Sequence, residues 1–472
     1  MSTLDALIIG GGISGLSTAA WLGNAGAKIE TWESSVRPGG KIQTEQAEGY
    51  RMEHAATMLV ESNDYTSRFL QQSDMNAFRV ARNPSAKRYL VDQGQLVGLS
   101  QKPSELFRSP LWSRRGRMRM LLEPFVPRAN NAEETVQEFV TRRFGREIYV
   151  KAMEPYMSGP LASDGERACA RSVLPQLTAM EKRFGSVAGG LIWNRLRGRR
   201  VACRAQSVIF RGGMRTLTDS LAANPLLGFR RELRVKELVR VNGTWRVRAE
   251  SAGREVSVSA RHIVLSVPAL EAARLVTHVD HELDRLLSGI EYAPLSVVHV
   301  AFDRSQITHS LDGAGFLVPG RERMPLNGVL WMSSLVPDCA PEGMVMMTAY
   351  VGGARHPQAA DWSDRQTADA VLETLDRLLG VSGVPTQLRI IRHKQALPQY
   401  FGNYHARVQA IGRQCLRHDN LHICANYIGG VAIRNRIEQG YHCATQILEQ
   451  LEQHSGTRLM PNLSDISAAS GA

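Results

Sequence analysis

Cysteine is scarce: the 472 residues hold six, Cys169, Cys203, Cys339, Cys415, Cys424 and Cys443, and none forms a CxxC pair. That scatter supports neither a disulfide framework nor a zinc module, and it suits a reducing cytoplasm. No HExxH is present. His418 and His422 are four apart, but Asp419-Asn420 between them reads as a turn into a strand at Leu421–Cys424, so no metal is expected. No uninterrupted apolar run reaches the roughly 18 residues that cross a bilayer. The most apolar early segment, Leu4 to Ala27, is broken by Gly10, Gly11, Gly12 and Gly15 and follows Asp5 instead of a basic stretch. It therefore reads as neither signal peptide nor anchor. The expectation is a cytoplasmic chain, soluble or bound peripherally to the inner face of the membrane. No internal repeat is visible, and residues 456–472, rich in Ser, Ala and Gly, read as a disordered tail.

What remains is ordinary globular composition, 43% hydrophobic and 22% charged. At roughly 150 residues per domain the length predicts about three domains. Lys and Arg total 57 against 45 Asp and Glu, a net charge of +12. Residues 101–211 alone carry 21 basic and 10 acidic side chains, so the middle third holds nearly all the excess. This same stretch reads as helical from 101 to 200. Before it lies a βαβ opening: a strand Leu4–Ile9, a glycine-rich turn, a helix to about Ala25 and a strand Ala27–Trp32 ending at Glu33. After it come strands at Leu233–Val241 and Thr244–Glu250, joined by the hairpin signal Asn242-Gly243. Further strands follow at His262–Ser266 and Leu295–Phe302. Ile433, Ile437, Ala444, Ile447, Leu448 and Leu451 then recur at helical spacing in a final helix from about Val431 to Glu452.

Gly10-Gly11-Gly12-Ile13-Ser14-Gly15 contains GxGxxG between the first strand and the first helix. Gly10 permits the turn, Gly12 lets a pyrophosphate approach the backbone, and Gly15 lets the helix pack close to the sheet. The free N–H groups of Ile13 and Ser14 suit phosphate charge. Glu33, 18 residues beyond Gly15 at a strand end, can accept ribose hydroxyls. A glycine turn without a ligand also matches GxGxxG alone; strand, helix and acid in register point to a dinucleotide. Six residues past Glu33 stands Gly39-Gly40-Lys41, preceded by Arg37. No second GxGxxG appears in mid-chain, and no CxxC or cluster ligands are present to relay electrons. Electrons should therefore come from the substrate and pass to oxygen or a quinone.

The Gly39-Gly40-Lys41 segment resembles the extended cofactor motif of the flavin amine oxidase superfamily, and Ile423-Cys424-Ala425-Asn426-Tyr427-Ile428-Gly429-Gly430-Val431-Ala432-Ile433 resembles its closing flavin motif. In that motif a helix N-terminus faces the isoalloxazine, where it stabilises negative charge on the reduced ring. A plain strand–loop–helix would read similarly, but two glycine-rich ends in one chain favour FAD. Several further segments resemble the oxygen-dependent protoporphyrinogen oxidase family in that family's order. These are Ala86–Leu90, Ser109-Pro110-Leu111 through Glu123-Pro124-Phe125, Glu154-Pro155-Tyr156-Met157-Ser158-Gly159, Phe210-Arg211-Gly212-Gly213-Met214, Leu397-Pro398-Gln399-Tyr400 and Ile437-Glu438-Gln439-Gly440.

The resemblance implies an α/β fold with an added α part: a Rossmann-like FAD-binding domain interleaved with a mixed-sheet substrate domain and an inserted helical domain. The expected boundaries are 1–85, 200–290 and 395–455 for the FAD domain, 86–100 and 291–394 for the substrate domain, and 101–199 for the basic, membrane-facing helical domain. It implies cofactor contacts from Gly10, Gly12, Ile13, Ser14, Gly15, Glu33, Ser34, Arg37, Gly39, Gly40, Lys41, Ala55, Ala56, Thr57, Val235, Asn426, Val431, Ala432 and Ile433. It implies oxidation of protoporphyrinogen IX to protoporphyrin IX by successive hydride removals, with O2 as acceptor. Arg88 would meet a propionate, and Tyr156, Gly159 and Leu317 would line the macrocycle pocket.

The sequence departs from the family at three places. His54-Ala55-Ala56 stands where the family reads a residue then Gly-Pro. Ala314 replaces a frequent aromatic, which Phe316 or Tyr156 would have to supply, and Asn403-Tyr404 replaces Gly-His. Coproporphyrinogen III oxidation to coproporphyrin III, with four propionates to pair instead of two, therefore stays open. A flavin amine oxidase is disfavoured, because Val431-Ala432 offers no aromatic cage wall. A non-catalytic flavoprotein and a carotenoid desaturase are the remaining readings. No Ser-His-Asp or Cys-His set is found, as expected if the flavin N5 does the chemistry.

In the basic third, Trp112, Met118, Met120, Leu121, Leu122 and Phe125 interleave with Arg108, Arg114, Arg115, Arg117 and Arg119, and Arg195, Arg197, Arg199 and Arg200 follow. Such a mixture can lie on an anionic membrane surface, or be a solvated helical face. Candidate partners are thus the porphyrinogen, molecular oxygen or a quinone, an anionic membrane, a second copy of the chain and the next haem-pathway enzyme. Nucleic acid is not among them, since no recognised module accompanies the charge.

Overall fold

The computed structural model describes residues 3–80, 87–99, 107–109, 111–129, 131, 133–196, 206–336 and 338–455. Ala86, Pro110, Arg197, Arg199, Arg200, Cys203 and the tail 456–472 lie outside them.

The strand that leads into the glycine-rich turn lies inside a seven-stranded sheet. Its order is Phe229–Arg230, Ile29–Trp32, Leu4–Ile9, Arg254–Leu265, Thr244–Ser251 and Arg234–Val241, with Leu421–Ile423 also paired to Arg254–Leu265. The long strand changes partners along its length. Its first half runs antiparallel to Thr244–Ser251, while Ala260–Leu265 lies parallel to Leu4–Ile9. The strand expected at His262–Ser266 is the buried end of this longer one; its outer half alternates polar and apolar residues as a hairpin arm.

Two helices cover one face of the sheet. Ile13–Asn24 is rich in small residues, and the last helix, Ile433–Ser455, packs against it. At Gly440 a Cβ would lie 2.9 Å from Ser17 Cβ and 3.0 Å from the Thr18 nitrogen, so only glycine allows this approach. Trp21 Nε1 donates to the Ile437 carbonyl at 3.3 Å across the same contact.

A second seven-stranded sheet has the order Gln387–Pro398, Tyr292–Asp303, Met344–Gly352, Leu326–Trp331, Gly313–Leu317, Lys87–Asp92, Gln95–Leu99. It is mixed: Gly313–Leu317 and Lys87–Asp92 are parallel, and its other pairs are antiparallel. Its core of Val298, Val300, Phe302, Trp331 and Met347 closes against Val371, Leu375 and Leu379 of the helix Asp364–Leu379.

Between the strands Gln95–Leu99 and Gln206–Phe210, the described residues from 114 to 196 are mainly helical. Their packing centres on a fully buried arginine. Arg143 Nε donates to Glu181 Oε1 at 2.9 Å and Nη1 to Glu123 Oε1 at 3.2 Å. Glu123 in turn accepts the Val187 and Ala188 N–H groups at 2.9 and 3.0 Å, capping the helix Val187–Leu196. Several arginines of the basic third are thus structural, not free. Arg119 donates to the Arg142 and Arg143 carbonyls, and Arg117 to the Trp112 carbonyl. Trp112 and Met120, expected on the membrane-facing surface, turn inward with Leu90, Leu111 and Leu317.

Among the described residues no three metal-ligating side chains converge, and no helix is long and apolar enough to cross a membrane. His418 Nε2 lies 2.6 Å from Asp280 Oδ2, and His422 Nε2 lies 3.2 Å from His262 Nδ1.

Candidate active site

Backbone geometry makes the glycine loop into a phosphate cradle. Gly10 has φ +110°, and a Cβ there would sit 2.5 Å from the Ser266 oxygen. A Cβ on Gly15 would be 2.0 Å from the Gly10 oxygen, so the helix can start this close to the strand only without a side chain. A Cβ built on Gly12 meets no atom within 4 Å. The space before the helix is therefore open, and no side chain caps its N-terminus. The first N–H groups of a helix have no partner inside it, so Ile13, Ser14 and Gly15 present positive dipole to that space. A pyrophosphate fits these features.

Glu33 is buried at the strand end. Its Oε2 accepts the Gly11 N–H at 2.7 Å, and its Oε1 accepts the Ser35 N–H at 2.8 Å and the Ser34 hydroxyl at 3.3 Å. The carboxylate thus braces the glycine loop and keeps acceptor capacity for a sugar hydroxyl. Leu233 N–H donates to the Glu33 oxygen at 2.8 Å, which brings the strand bearing Val235 beside it; Val235 itself is buried and its carbonyl accepts from Arg274.

The second glycine pair does more than approach a ligand. Gly39 N–H donates to the Gly11 oxygen at 2.7 Å, and Gly40, at φ +59°, would put a Cβ 3.5 Å from the Gly12 Cα. Two glycine backbones therefore lie against each other. Lys41 Nζ donates to the Ala396 carbonyl at 2.8 Å, and burial pushes its pKa down to about 8. Arg37 is exposed and lines a polar cleft with Gln43, Thr44, His54, Arg215 and Arg389.

The C-terminal motif folds as a strand, a loop and a helix, with Gly429 and Gly430 at φ +75° and +102°. Arg436, buried on the first turn of the helix, donates to the Ala425 and Ile428 carbonyls and ties the loop that carries Asn426. Asn426 and Val431 are half-buried, Ala432 is exposed and Ile433 is buried in the core.

The residues expected to meet the substrate divide. Leu317 pairs with Leu90, so both face the same side of the second sheet, and Arg88, two residues before Leu90, shares that side. A Cβ on Gly159 would lie 2.5 Å from Leu317 Cδ2, so the helical insertion presses its glycine directly onto Leu317. Among the described residues the side chain of Arg88 has no ion-pair or hydrogen-bond partner, and the residue is exposed. Tyr156 is 47% exposed. Phe316 does not join this group. It is 2% exposed and packs in the second sheet's core with Val91 and Val329, because strand alternation turns it away from Leu317. It therefore supplies no ring in place of the aromatic missing at Ala314, which is itself buried.

Three functional supports escaped the sequence. Arg355 donates to Glu154 Oε1 at 3.0 Å, the Val318 carbonyl at 2.8 Å and the Leu326 carbonyl at 2.9 Å, joining the Glu154–Ser158 helix to the second sheet. No local pattern marks Arg355. Arg436 had a signal, since it stands on the apolar stripe of Ile433, Ile437 and Gly440. The third is Glu53, whose Oε1 accepts the Met214 N–H at 3.0 Å and whose Oε2 accepts the Thr44 hydroxyl at 2.8 Å. Burial pushes this carboxyl up to about 7, against the opposing pull of Met214 N–H, Thr44 and Arg51. The folded chain thus keeps a proton that the unfolded chain releases near 4.5, and stability falls as pH rises from about 4.5 through about 7. Glu53→Gln should remove that limb, gaining about 2 kcal/mol on the parent between pH 5 and pH 8 in urea titrations. Parallel pH dependence in both proteins would contradict this.

Comparison with known proteins converges on the same chemistry. Mitochondrial protoporphyrinogen oxidase of Nicotiana tabacum is 27% identical, with 95% of each chain covered. Coproporphyrinogen III oxidase of Bacillus subtilis (strain 168) is 23% identical, over 94% of this chain and 98% of that one. A crystal structure from Exiguobacterium sp. 255-15 superposes with a TM-score of 0.77 at 20% identity, covering 96% of this chain and all of that one. The description "Flavin containing amine oxidoreductase" matches residues 13–448. FAD is the cofactor, and the protein is an FAD-dependent oxidoreductase. The chain belongs to the flavin-containing amine oxidoreductase family.

Proposed function

We propose that this enzyme oxidises protoporphyrinogen IX to protoporphyrin IX by successive hydride removals, with molecular oxygen as the terminal acceptor, in tetrapyrrole biosynthesis. The observation that carries the reading is the meeting of Gly159 with Leu317 on the sheet face that also holds Leu90 and the unpaired Arg88. An apolar face edged by one guanidinium suits a bulky ring bearing carboxylates, because the ring buries apolar area while a propionate pairs with arginine. Bound FAD supplies the hydride acceptor. The chain's part is to hold a meso carbon near it. Hydride loss there leaves a cation delocalised over two pyrroles whose N–H becomes acidic, so positioning matters more than a strong base. Full-length relatives named protoporphyrinogen oxidase support the reading.

Coproporphyrinogen III is the second substrate reading, supported by the Bacillus relative's coverage. Turnover of protoporphyrinogen, coproporphyrinogen and an amine in air, followed by porphyrin fluorescence and peroxide, separates the readings. Protoporphyrin formation without amine oxidation is expected; amine turnover alone would overturn the proposal. In the same assay Arg88→Ala should raise KM about tenfold through a lost charge-assisted pair, and an unchanged KM would remove Arg88 from the site.

The division proposed is a cofactor domain of 1–85, 200–290 and 395–455, a substrate domain of 86–100 and 291–394, and a helical domain of 101–199. For the helical domain we further propose contact with an anionic membrane surface. Met118, Leu121, Leu122 and Phe125 are exposed, Phe125 at 82%, and Leu191, Ile192, Trp193 and Leu196 project from the helix that Glu123 caps. Arg108, Arg114, Arg115 and Arg195 are exposed in the same stretches of chain. Apolar side chains below basic ones are the pattern of interfacial binding. The protein should float with anionic liposomes at low salt, and Leu121→Glu with Phe125→Glu should abolish flotation. Flotation by the double variant equal to the parent's would contradict the docking face.

A further inference from the structure

Two histidines from the second sheet reach across to consecutive carbonyls of one turn. His299, on Tyr292–Asp303, has Nε2 3.0 Å from the Glu53 carbonyl oxygen. His393, on the adjoining strand Gln387–Pro398, has Nε2 2.8 Å from the His54 carbonyl oxygen. A carbonyl only accepts, so each Nε2 carries the proton. The other nitrogen of His299 lies 2.9 Å from the Thr348 hydroxyl, which can donate to it, so that side chain is fully engaged as a neutral ring. Burial also lowers both imidazole pKa values, His299 to about 4.

The carbonyls they hold lead directly into Ala55-Ala56-Thr57, a stretch without proline. Without proline, nothing in the covalent chain fixes that turn. The hydrogen bonds also close a circuit. His54 N–H donates to the Gln43 carbonyl at 2.9 Å, and Lys41 Nζ to the Ala396 carbonyl at 2.8 Å, three residues beyond His393. The Gly39-Gly40-Lys41 segment and the Ala55–Thr57 turn are thus fastened to the same strand of the other sheet.

We propose that His299 and His393 are a pair of positioning residues, which fix the Ala55-Ala56-Thr57 turn against the flavin by holding the carbonyls of Glu53 and His54. The proposal rests on the reading that this turn contacts FAD. It requires no proton transfer and no change of charge at either ring. Because reaction geometry depends steeply on placement, releasing one carbonyl should slow flavin reduction more than it weakens substrate binding.

The test uses the FAD-loaded full chain. His393→Leu removes the donor from a half-buried site, and His393→Gln returns an N–H there. His393→Leu should lower the rate of flavin reduction about tenfold at unchanged KM, and should shift the visible circular dichroism of the bound flavin. His393→Gln should restore both. His299→Leu, which removes the donor to the Glu53 carbonyl, serves as the second probe, read by the same dichroism. Ala56→Leu, which thickens the turn itself, separates the turn's contact with the cofactor from the role of the histidines. If Ala56→Leu leaves the flavin dichroism unchanged, the turn does not face the cofactor, and the proposal falls with that reading. If Ala56→Leu shifts it while both histidine variants leave dichroism and rate at parent values, the histidine pair alone is overturned.

Discussion

Gly15→Ala should purify without its yellow cofactor, with FAD affinity reduced at least about a hundredfold, or about 2.7 kcal/mol. The added Cβ would sit 2.0 Å from the Gly10 oxygen and 3.1 Å from both Ile8 Cγ2 and Ser266 Cβ. The nearest of these is backbone at the end of a central strand, so no side-chain rotation relieves the clash. The helix must instead retreat from the sheet and carry its N-terminal N–H groups away from the pyrophosphate, which is where its dipole acts. A matched control comes from the same substitution elsewhere. At Gly412, in the helix Tyr404–Cys415, a Cβ meets nothing within 4 Å. Gly412→Ala should therefore bind FAD normally and gain up to about 1 kcal/mol from helix propensity. FAD titration of the two apoproteins, with thermal unfolding of each, gives the comparison. Equal affinity in both variants would mean the glycine loop does not hold the cofactor.

Arg143→Ala should cost about 3–5 kcal/mol, enough to unfold the helical insertion or leave it molten. The side chain has no exposure, and its removal strands Glu123 and Glu181, both nearly buried, without their shared cation. Arg142 keeps a bond to Glu181 at 2.9 Å and to Glu134 at 2.7 Å, so one carboxylate retains a partner, but Glu123 does not keep its arginine. Glu123 also caps the helix Val187–Leu196, so the damage should spread to the second half of the insertion. Arg115→Ala, at an exposed position in the same basic stretch, should change stability by less than about 0.5 kcal/mol. Urea unfolding of the two variants tests the division between structural and solvent-facing arginines. Equal midpoints would contradict it.

Much of the nucleotide end was legible because its requirements are local. A turn that tolerates only glycine, a helix that needs a small residue at its second approach to the sheet, and an acid at the next strand end all leave marks at fixed spacing. The final helix was likewise readable from the period of Ile433, Ile437, Ala444 and Leu448. The site's supports were less visible because they are made between segments far apart in sequence. Glu154 meets Arg355 some 200 residues on, and His393 meets His54 across more than 300. No window of sequence contains both partners.

The burial of Phe316 and of Trp112 has a common physical origin. The chemistry of Phe316 suits a pocket and that of Trp112 a membrane-facing surface, yet a strand decides burial by alternation and an insertion decides it by what it packs upon. Phe316 sits one residue from Leu317 and so faces the opposite side; Trp112 is covered by Leu90 and Leu111. Composition alone could not tell a structural arginine such as Arg143 from a free one such as Arg115, since only the fold reveals which carboxylates lie within reach.

The proposed reaction requires delivery of hydride from a porphyrinogen to the cofactor held by this chain. Anaerobic mixing of the FAD-loaded protein with one equivalent of protoporphyrinogen, watched in the visible spectrum, tests that step apart from oxygen. The oxidised flavin absorbance should bleach within the time of a single turnover, and return when air is admitted as porphyrin fluorescence grows. A flavin that stays fully oxidised beside protoporphyrinogen and coproporphyrinogen alike would contradict the account.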